Sequence, residues 1–105
     1  MVHVIATIEV APGKRDVFLA EFNRIVPAVR AEAGCIEYGP AVDVPTGLAA
    51  QPPQRDNVVV AIAKWASVDA LRAHLAAPHM AEYRVRVKDF VVGVQLHVLQ
   101  PQSMV

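Results

Sequence analysis

The chain has 105 residues, 54% of them hydrophobic, and its ten basic side chains balance its ten acidic ones. This length suits a single domain over residues 1–105, and the balanced charge without a basic stripe disfavours nucleic acid as a partner. No apolar run reaches the roughly 18 residues that cross a bilayer, and no signal-peptide pattern opens the sequence. The lone Cys35 suits a reducing compartment, so we expect a cytoplasmic protein without a membrane partner.

The first third of the chain predicts a strand followed by a helix. Apolar and polar residues alternate from Val2 to Val10, which is typical of a strand. Over residues 14–32 the apolar spacing changes to three and four, which predicts an amphipathic helix with Pro27 as a kink. The predicted inner face of this helix consists of Phe18, Phe22, Ile25, Val26 and Val29.

Gly34 is a natural helix stop, and a second strand is predicted over residues 35–43. Ile36, Tyr38 and Val42 would share one face of this strand, and Glu37 on the other face is a candidate inward carboxylate. Residues 44–56 are rich in Pro, Gly and Gln, which predicts a long exposed loop.

Residues 57–65 predict a third strand whose nearly continuous apolar run indicates that both faces are covered. Ser67 is a suitable N-cap for a short helix with Val68, Leu71 and Leu75 as its apolar stripe. Pro78 then suits the first position of another helix. The predicted inner stripe of that helix consists of Met80, Tyr83, Val87 and Phe90.

Gly93 is predicted to end the last helix, and residues 94–100 alternate as a final strand. The order strand–helix–strand–strand–helix–strand predicts an α+β, ferredoxin-like fold with a four-stranded antiparallel sheet and helices on one face. The other face would stay exposed in a monomer. We therefore expect a homodimer in which two sheets pair to form an α+β barrel.

Residues 64–83 hold most of the side chains that could carry chemistry. His74 and His79 could accept a proton near pH 7, and Tyr83 could orient an oxygen-bearing substrate. Met80 and Phe90 would supply apolar walls. Two histidines five residues apart across a proline, with no carboxylate between them, argue against a metal pair.

Each of these residues also has an ordinary structural interpretation. A histidine near a helix end often only bonds a free carbonyl or interacts with the helix dipole. Trp65 and Tyr83 are residue types found more often in cores than in contact with a ligand. The segment is therefore a candidate site and not a catalytic signature.

Three stretches carry a resemblance to a known family: Gly34-Cys35-Ile36-Glu37-Tyr38, Lys64-Trp65, and His74-Leu75-Ala76-Ala77-Pro78-His79-Met80 with Tyr83. They are similar to the antibiotic biosynthesis monooxygenase domain family, and more closely to its quinol monooxygenase branch. The resemblance covers nearly the whole chain. It implies a dimeric α+β barrel that oxidises quinols or other electron-rich phenols with O2 and without a metal, flavin or haem cofactor.

By this resemblance, the catalytic candidates are His74 and His79, one of them acting as general base. The residues expected to contact a small aromatic substrate are Trp65, Tyr83, Tyr38, Met80 and Phe90.

Two other functions stay open. The same fold hosts isomerases of small carbonyl compounds, and a phosphate-bearing substrate would need cations such as Arg72, Arg84 or Arg86. A non-enzymatic dimeric binding module would be favoured if Trp65, Tyr83 and Phe90 filled the pocket.

Overall fold

The computed structural model of the chain describes residues 1–103, and four strands and three helices are found there. In chain order they are β1 (Val2–Val10), α1 (Arg15–Arg30), β2 (Cys35–Ala41), β3 (Val58–Trp65), α2 (Val68–Leu75), α3 (Pro78–Val87) and β4 (Val91–Leu99). The sheet order is β2-β3-β1-β4, and every neighbouring pair is antiparallel. The ferredoxin-like α+β prediction is confirmed, with α2 and α3 together taking the place of the second helix.

The core lies between the helices and one face of the sheet. Alternate residues of β1 and β3 point into it, and the register places Val4 opposite Ala63. The predicted inner face of α1 is buried at all five positions, and Phe18 has no exposed surface. The helix continues through Pro27 to Arg30. The change from period two to period three or four therefore located both elements correctly.

A bulge in β2 overturns the predicted face of that strand. The register against β3 shifts between Cys35 and Glu37, so Ile36 does not share the face of Tyr38. Ile36 is 58% exposed, whereas Tyr38 is buried. Val42, predicted on the same face, follows the end of the strand and is also exposed. Glu37 is not inward: it is exposed, and its carboxylate lies 3.5 Å from Lys64 Nζ.

The second helical segment also differs from its predicted face. Ser67 is the N-cap of α2, and its Oγ accepts a hydrogen bond from the Ala70 amide. Leu71 and His74, three residues apart, face the core. Val68 and Leu75, predicted to be inward, lie to either side of this narrow contact and are exposed.

The last strand begins earlier than predicted. Helix α3 starts at Pro78 and ends at Val87, where the Phe90 amide donates to the Val87 carbonyl and closes a turn. Gly93 lies inside β4 opposite Glu9 and does not end the helix. The Val94 and Leu96 side chains are on the sheet face that carries Val4, but they remain 62% and 46% exposed.

The predicted loop between β2 and β3 is exposed and is closed at its base by an ion pair. The Arg55 guanidinium donates to both carboxylate oxygens of Asp43, at 2.8 and 2.9 Å. The Arg55 amide also donates to this carboxylate. None of the helices formed by residues 1–103 is long and apolar enough to cross a membrane.

Candidate active site

A carboxylate joins the two histidines that the sequence singled out. Glu32 Oε2 lies 2.8 Å from His74 Nδ1 and 2.9 Å from His79 Nε2. Because an ionised carboxylate can only accept hydrogen bonds, both histidine nitrogens are the donors. A single oxygen atom therefore fixes the orientation of both imidazole rings.

Three separate elements bring these side chains together. Glu32 lies in the turn between α1 and β2, and His74 lies in the last turn of α2. His79 is the second residue of α3, directly after Pro78 at the first position. The break between α2 and α3 places both histidines beside the same turn, although the sequence separates them by five positions.

His74 is held tightly among aromatic rings. It is 4% exposed, its ring centroid lies 4.7 Å from that of Trp65, and Tyr38 packs edge-on at 5.5 Å. With Nδ1 donating to Glu32, the neutral ring keeps Nε2 as a free acceptor. This arrangement orients a base in the manner of a histidine–carboxylate dyad.

The His74 ring lines an apolar cavity of about 450 Å³ between the helices and the sheet. Its walls come from β1, β3, α2, α3 and the helix-facing side of β4, with one residue each from α1 and β2. Among the predicted substrate contacts, the lining includes Tyr38, Trp65, Met80 and Tyr83. A cavity of this size is typical of sites for small ligands.

Two predicted site residues are placed differently. Phe90 packs against the core but does not belong to the cavity lining. His79 is also outside the lining and contacts the cavity only through Glu32 and His74. His74 therefore lies at the cavity wall, whereas His79 lies outside the cavity.

Two phenols complete the polar side of the cavity. The Tyr38 ring stacks on Phe22, with centroids 5.3 Å apart, and the Tyr83 ring meets Phe22 edge-on. Burial raises the pKa of both tyrosines well above the ordinary value, and the neighbouring Tyr83 raises the pKa of Tyr38 further. Both hydroxyls therefore stay protonated at neutral pH and can donate hydrogen bonds to a ligand.

Glu32 was not among the site residues predicted from the sequence. The candidate inward carboxylate was Glu37, which lies in a strand, whereas Glu32 lies in the turn before it. Nothing in the local pattern of Glu32 indicates a partner 42 or 47 residues away. The nearest signal is the resemblance, because Glu32 lies two residues before the stretch that begins at Gly34.

The same three residues form the one group of ligand-type side chains in residues 1–103 that could hold a metal ion. One ligand atom from each of Glu32, His74 and His79 lies within 4.8 Å of the others. The carboxylate of this group comes from Glu32, which lies outside the segment between the two histidines.

Comparisons with known proteins agree with this architecture. The model of the antibiotic biosynthesis monooxygenase family matches residues 1–86, and the chain belongs to this family. It is 41% identical over 103 residues to the Escherichia coli K12 protein named "Probable quinol monooxygenase YgiN", covering 96% of this chain and 98% of that protein. Both matches support the expectation that the chain is an enzyme.

Solved structures show the same fold. Rv0793 from Mycobacterium tuberculosis is 27% identical with a TM-score of 0.78, and the match covers 97% of this chain and 95% of that one. PA3566 from Pseudomonas aeruginosa is 24% identical with a TM-score of 0.79, covering 97% and 94%.

Proposed function

We propose that the chain is a cofactor-independent monooxygenase that oxidises a quinol or another electron-rich phenol with O2. The observation that carries this proposal is the buried His74 ring, which lies at the wall of an apolar cavity with Glu32 bound behind it. The similarity to a protein named as a quinol monooxygenase supports the same reaction class.

In this proposal, His74 Nε2 takes the hydroxyl proton of the bound quinol. The resulting anion is electron-rich enough to pass an electron to O2 directly in the apolar cavity. For a hydroquinone with a free ring position, the balanced outcome is a hydroxyquinone and one water. One oxygen atom of O2 enters the ring, and the other leaves as the water.

The position of the two histidines favours His74 over His79 as the base. His74 lines the cavity, whereas His79 bonds the same oxygen of Glu32 from outside the cavity lining. The two tyrosines suit the complementary role, because protonated phenols donate to the substrate oxygens. Glu32 stabilises the imidazolium that forms when His74 takes the proton.

The cavity weighs against the two other functions. A binding module filled by its own aromatic side chains would have no such space, yet Trp65 and Tyr83 line it and leave it open. An isomerase of a phosphorylated compound would need a cationic cluster. Arg72 pairs with Asp69 and Arg86 with Glu21, so within residues 1–103 the cations of the cavity lining are Arg84 and Lys88 alone, and the Arg84 guanidinium donates to the Leu75 carbonyl.

We also propose that the enzyme works as a cytoplasmic homodimer. The sheet face opposite the helices carries Ile5, Val60 and Ile62, which lie near one another in the register, and Ile62 is 39% exposed. A second copy would cover this surface. The free thiol of Cys35 suits a reducing cytoplasm.

The test is O2 consumption by chelator-treated protein with a panel of hydroquinones. We expect turnover with at least one of them, and His74→Ala should lower kcat/KM by about 10²–10⁴-fold. Asn23→Ala is the control, because Asn23 is exposed on α1 and does not belong to the cavity lining. Absence of turnover with every quinol would contradict the oxygenase proposal, and an unaffected His74→Ala variant would contradict the base assignment.

A further inference from the structure

We propose that Glu32, His74 and His79 form a binding site for a divalent transition-metal ion such as Zn²⁺, and that the bound ion switches off the base function of His74. The second half of this proposal rests on the proposed function, whereas the binding site itself does not.

The three ligand atoms are close enough together to share a metal ion, since all lie within 4.8 Å of one another. Zn²⁺ bonds to imidazole nitrogen and carboxylate oxygen are about 2.1 Å long, so two ligands of a tetrahedral ion lie about 3.4 Å apart. Glu32 Oε2 is 2.8 and 2.9 Å from the two histidine nitrogens. Each of these two distances would have to lengthen by about 0.5–0.6 Å for one ion to replace the hydrogen bonds.

The donor set and its surroundings indicate the class of ion. Two imidazoles and one carboxylate suit Zn²⁺, Co²⁺ or Ni²⁺ and do not suit Ca²⁺ or Mg²⁺, which prefer oxygen ligands. The His74 side chain is 5% exposed and that of Glu32 is 15% exposed, so the ligands are held in place by packing. The His79 side chain is 29% exposed and leaves a path from solvent.

The position of the site argues for an inhibitory role. Glu32 and His79 do not line the cavity, so an ion bound between them would lie behind His74 and away from the substrate. Binding of the ion to His74 Nδ1 leaves Nε2 as the nitrogen that carries the proton of the neutral ring. An imidazole in that state can donate a hydrogen bond but cannot take the substrate proton.

Isothermal titration of Zn²⁺ into chelator-treated protein tests the binding site directly. We expect one ion per chain, with a dissociation constant of about 1 μM or tighter. Glu32→Gln and His79→Ala should each weaken binding at least about tenfold, because each removes one ligand. The matched control replaces the other two histidines, as His3→Ala with His97→Ala, and should bind Zn²⁺ like the parent.

A second measurement locates the ion in the unmodified protein. Trp65 is the single tryptophan of the chain, and its ring packs on His74. Co²⁺ should therefore quench its fluorescence, with one equivalent producing the full effect. Failure of Zn²⁺ to bind, quenching absent at saturation, or binding lost in the His3 and His97 control would overturn the site.

Inhibition is measured separately from binding. One equivalent of Zn²⁺ should abolish quinol turnover in the parent, and excess chelator should restore it. Stoichiometric binding without loss of turnover would retain the metal site and overturn the inhibitory role. If no quinol is a substrate, the proposed function fails while the titration and the fluorescence still decide the binding site.

Discussion

Gly34 and Ala70 are in such close contact that a β-carbon at position 34 would lie 2.6 Å from the Ala70 Cβ. Gly34 also has a φ of 84°, which other residues rarely adopt. It therefore does more than end a helix: it lets the turn that carries Glu32 dock against α2, which carries His74. The distance between these two elements determines whether the carboxylate reaches the histidine.

We predict that Gly34→Ala destabilises the protein by about 2–6 kcal/mol, the sum of backbone strain and overpacking. Gly13→Ala is the matched control, because Gly13 has a φ of 78° but no atom within 4 Å of an added Cβ. It should show the strain alone, about 1–3 kcal/mol. Adding Ala70→Gly to Gly34→Ala should recover part of the loss. Equal urea midpoints for Gly34→Ala and Gly13→Ala would show that the contact carries no cost.

Glu32→Gln should lower kcat/KM with quinols without changing the cavity lining, to which Glu32 does not belong. The amide keeps the shape of the side chain but does not stabilise the imidazolium, so the loss should be about 10–100-fold and reside in kcat. His79→Ala should cost less, because His79 only helps to position Glu32. Steady-state kinetics on both variants measure this order, and a larger loss for His79→Ala would reverse the roles assigned to the two histidines.

Tyr38→Phe and Tyr83→Phe should weaken quinol binding while retaining the stacked rings. Loss of one hydrogen bond costs about 0.5–1.5 kcal/mol, which corresponds to a roughly 2- to 12-fold increase in KM. Quenching of Trp65 by a non-reacting quinone measures the same effect without turnover. Unchanged affinity in both variants would show that the hydroxyls do not contact the substrate.

Ile62→Asp should convert the proposed dimer into a monomer, because it places a charge in the middle of the apolar sheet face. Val85→Asp is the matched control: Val85 lies on α3 and is 67% exposed, so its substitution should leave the assembly intact. Light scattering at micromolar concentration distinguishes the two. A monomeric parent protein would contradict the dimer itself.

The Asp43–Arg55 pair should hold the base of the loop closed far into the acid range. The hydrogen bonds from Arg55 lower the pKa of Asp43 from 3.8 to about 2. The stabilisation is therefore complete above pH 3.8 and disappears as the pH falls through 2. Carboxyl NMR titration measures this pKa, and Arg55→Gln should return it toward its ordinary value. An unchanged Asp43 pKa in that variant would show that Arg55 is not the cause.

Limited proteolysis tests the same loop at neutral pH. Residues 44–56 are still predicted to be the first part of the chain that proteases cut, because their Pro, Gly and Gln content leaves little to bury. Asp43→Asn should accelerate this cutting, since it weakens the pair at the base of the loop. First cleavage elsewhere would contradict the prediction.

The parts of the fold that the sequence predicted correctly are those with a regular hydrophobic period. Val2–Val10 and the five buried positions of α1 follow directly from it. The bulge at Ile36 and the early start of β4 could not be predicted this way. A bulge changes which side chains face the core without changing the composition of the strand. Gly93 is a residue type typical of helix ends, and only its pairing with Glu9 shows that it lies in a strand.

The candidate site was only half predictable for a similar reason. His74 and His79 are close in sequence, so both were predicted as site residues from one segment. Their separate positions, one at the cavity wall and one behind the carboxylate, depend on tertiary packing. Glu32 could be assigned to them only after the turn at Gly34 had been placed against α2.

The wide sequence separation within the Glu32–His74–His79 cluster has a consequence for folding. Contacts that join residues 42 and 47 positions apart require closure of long chain loops, which local helices and hairpins do not achieve by themselves. The cluster therefore forms only when the two halves of the chain have associated. Metal affinity or quinol turnover regained during refolding would time this association, and both should appear after the helices have formed.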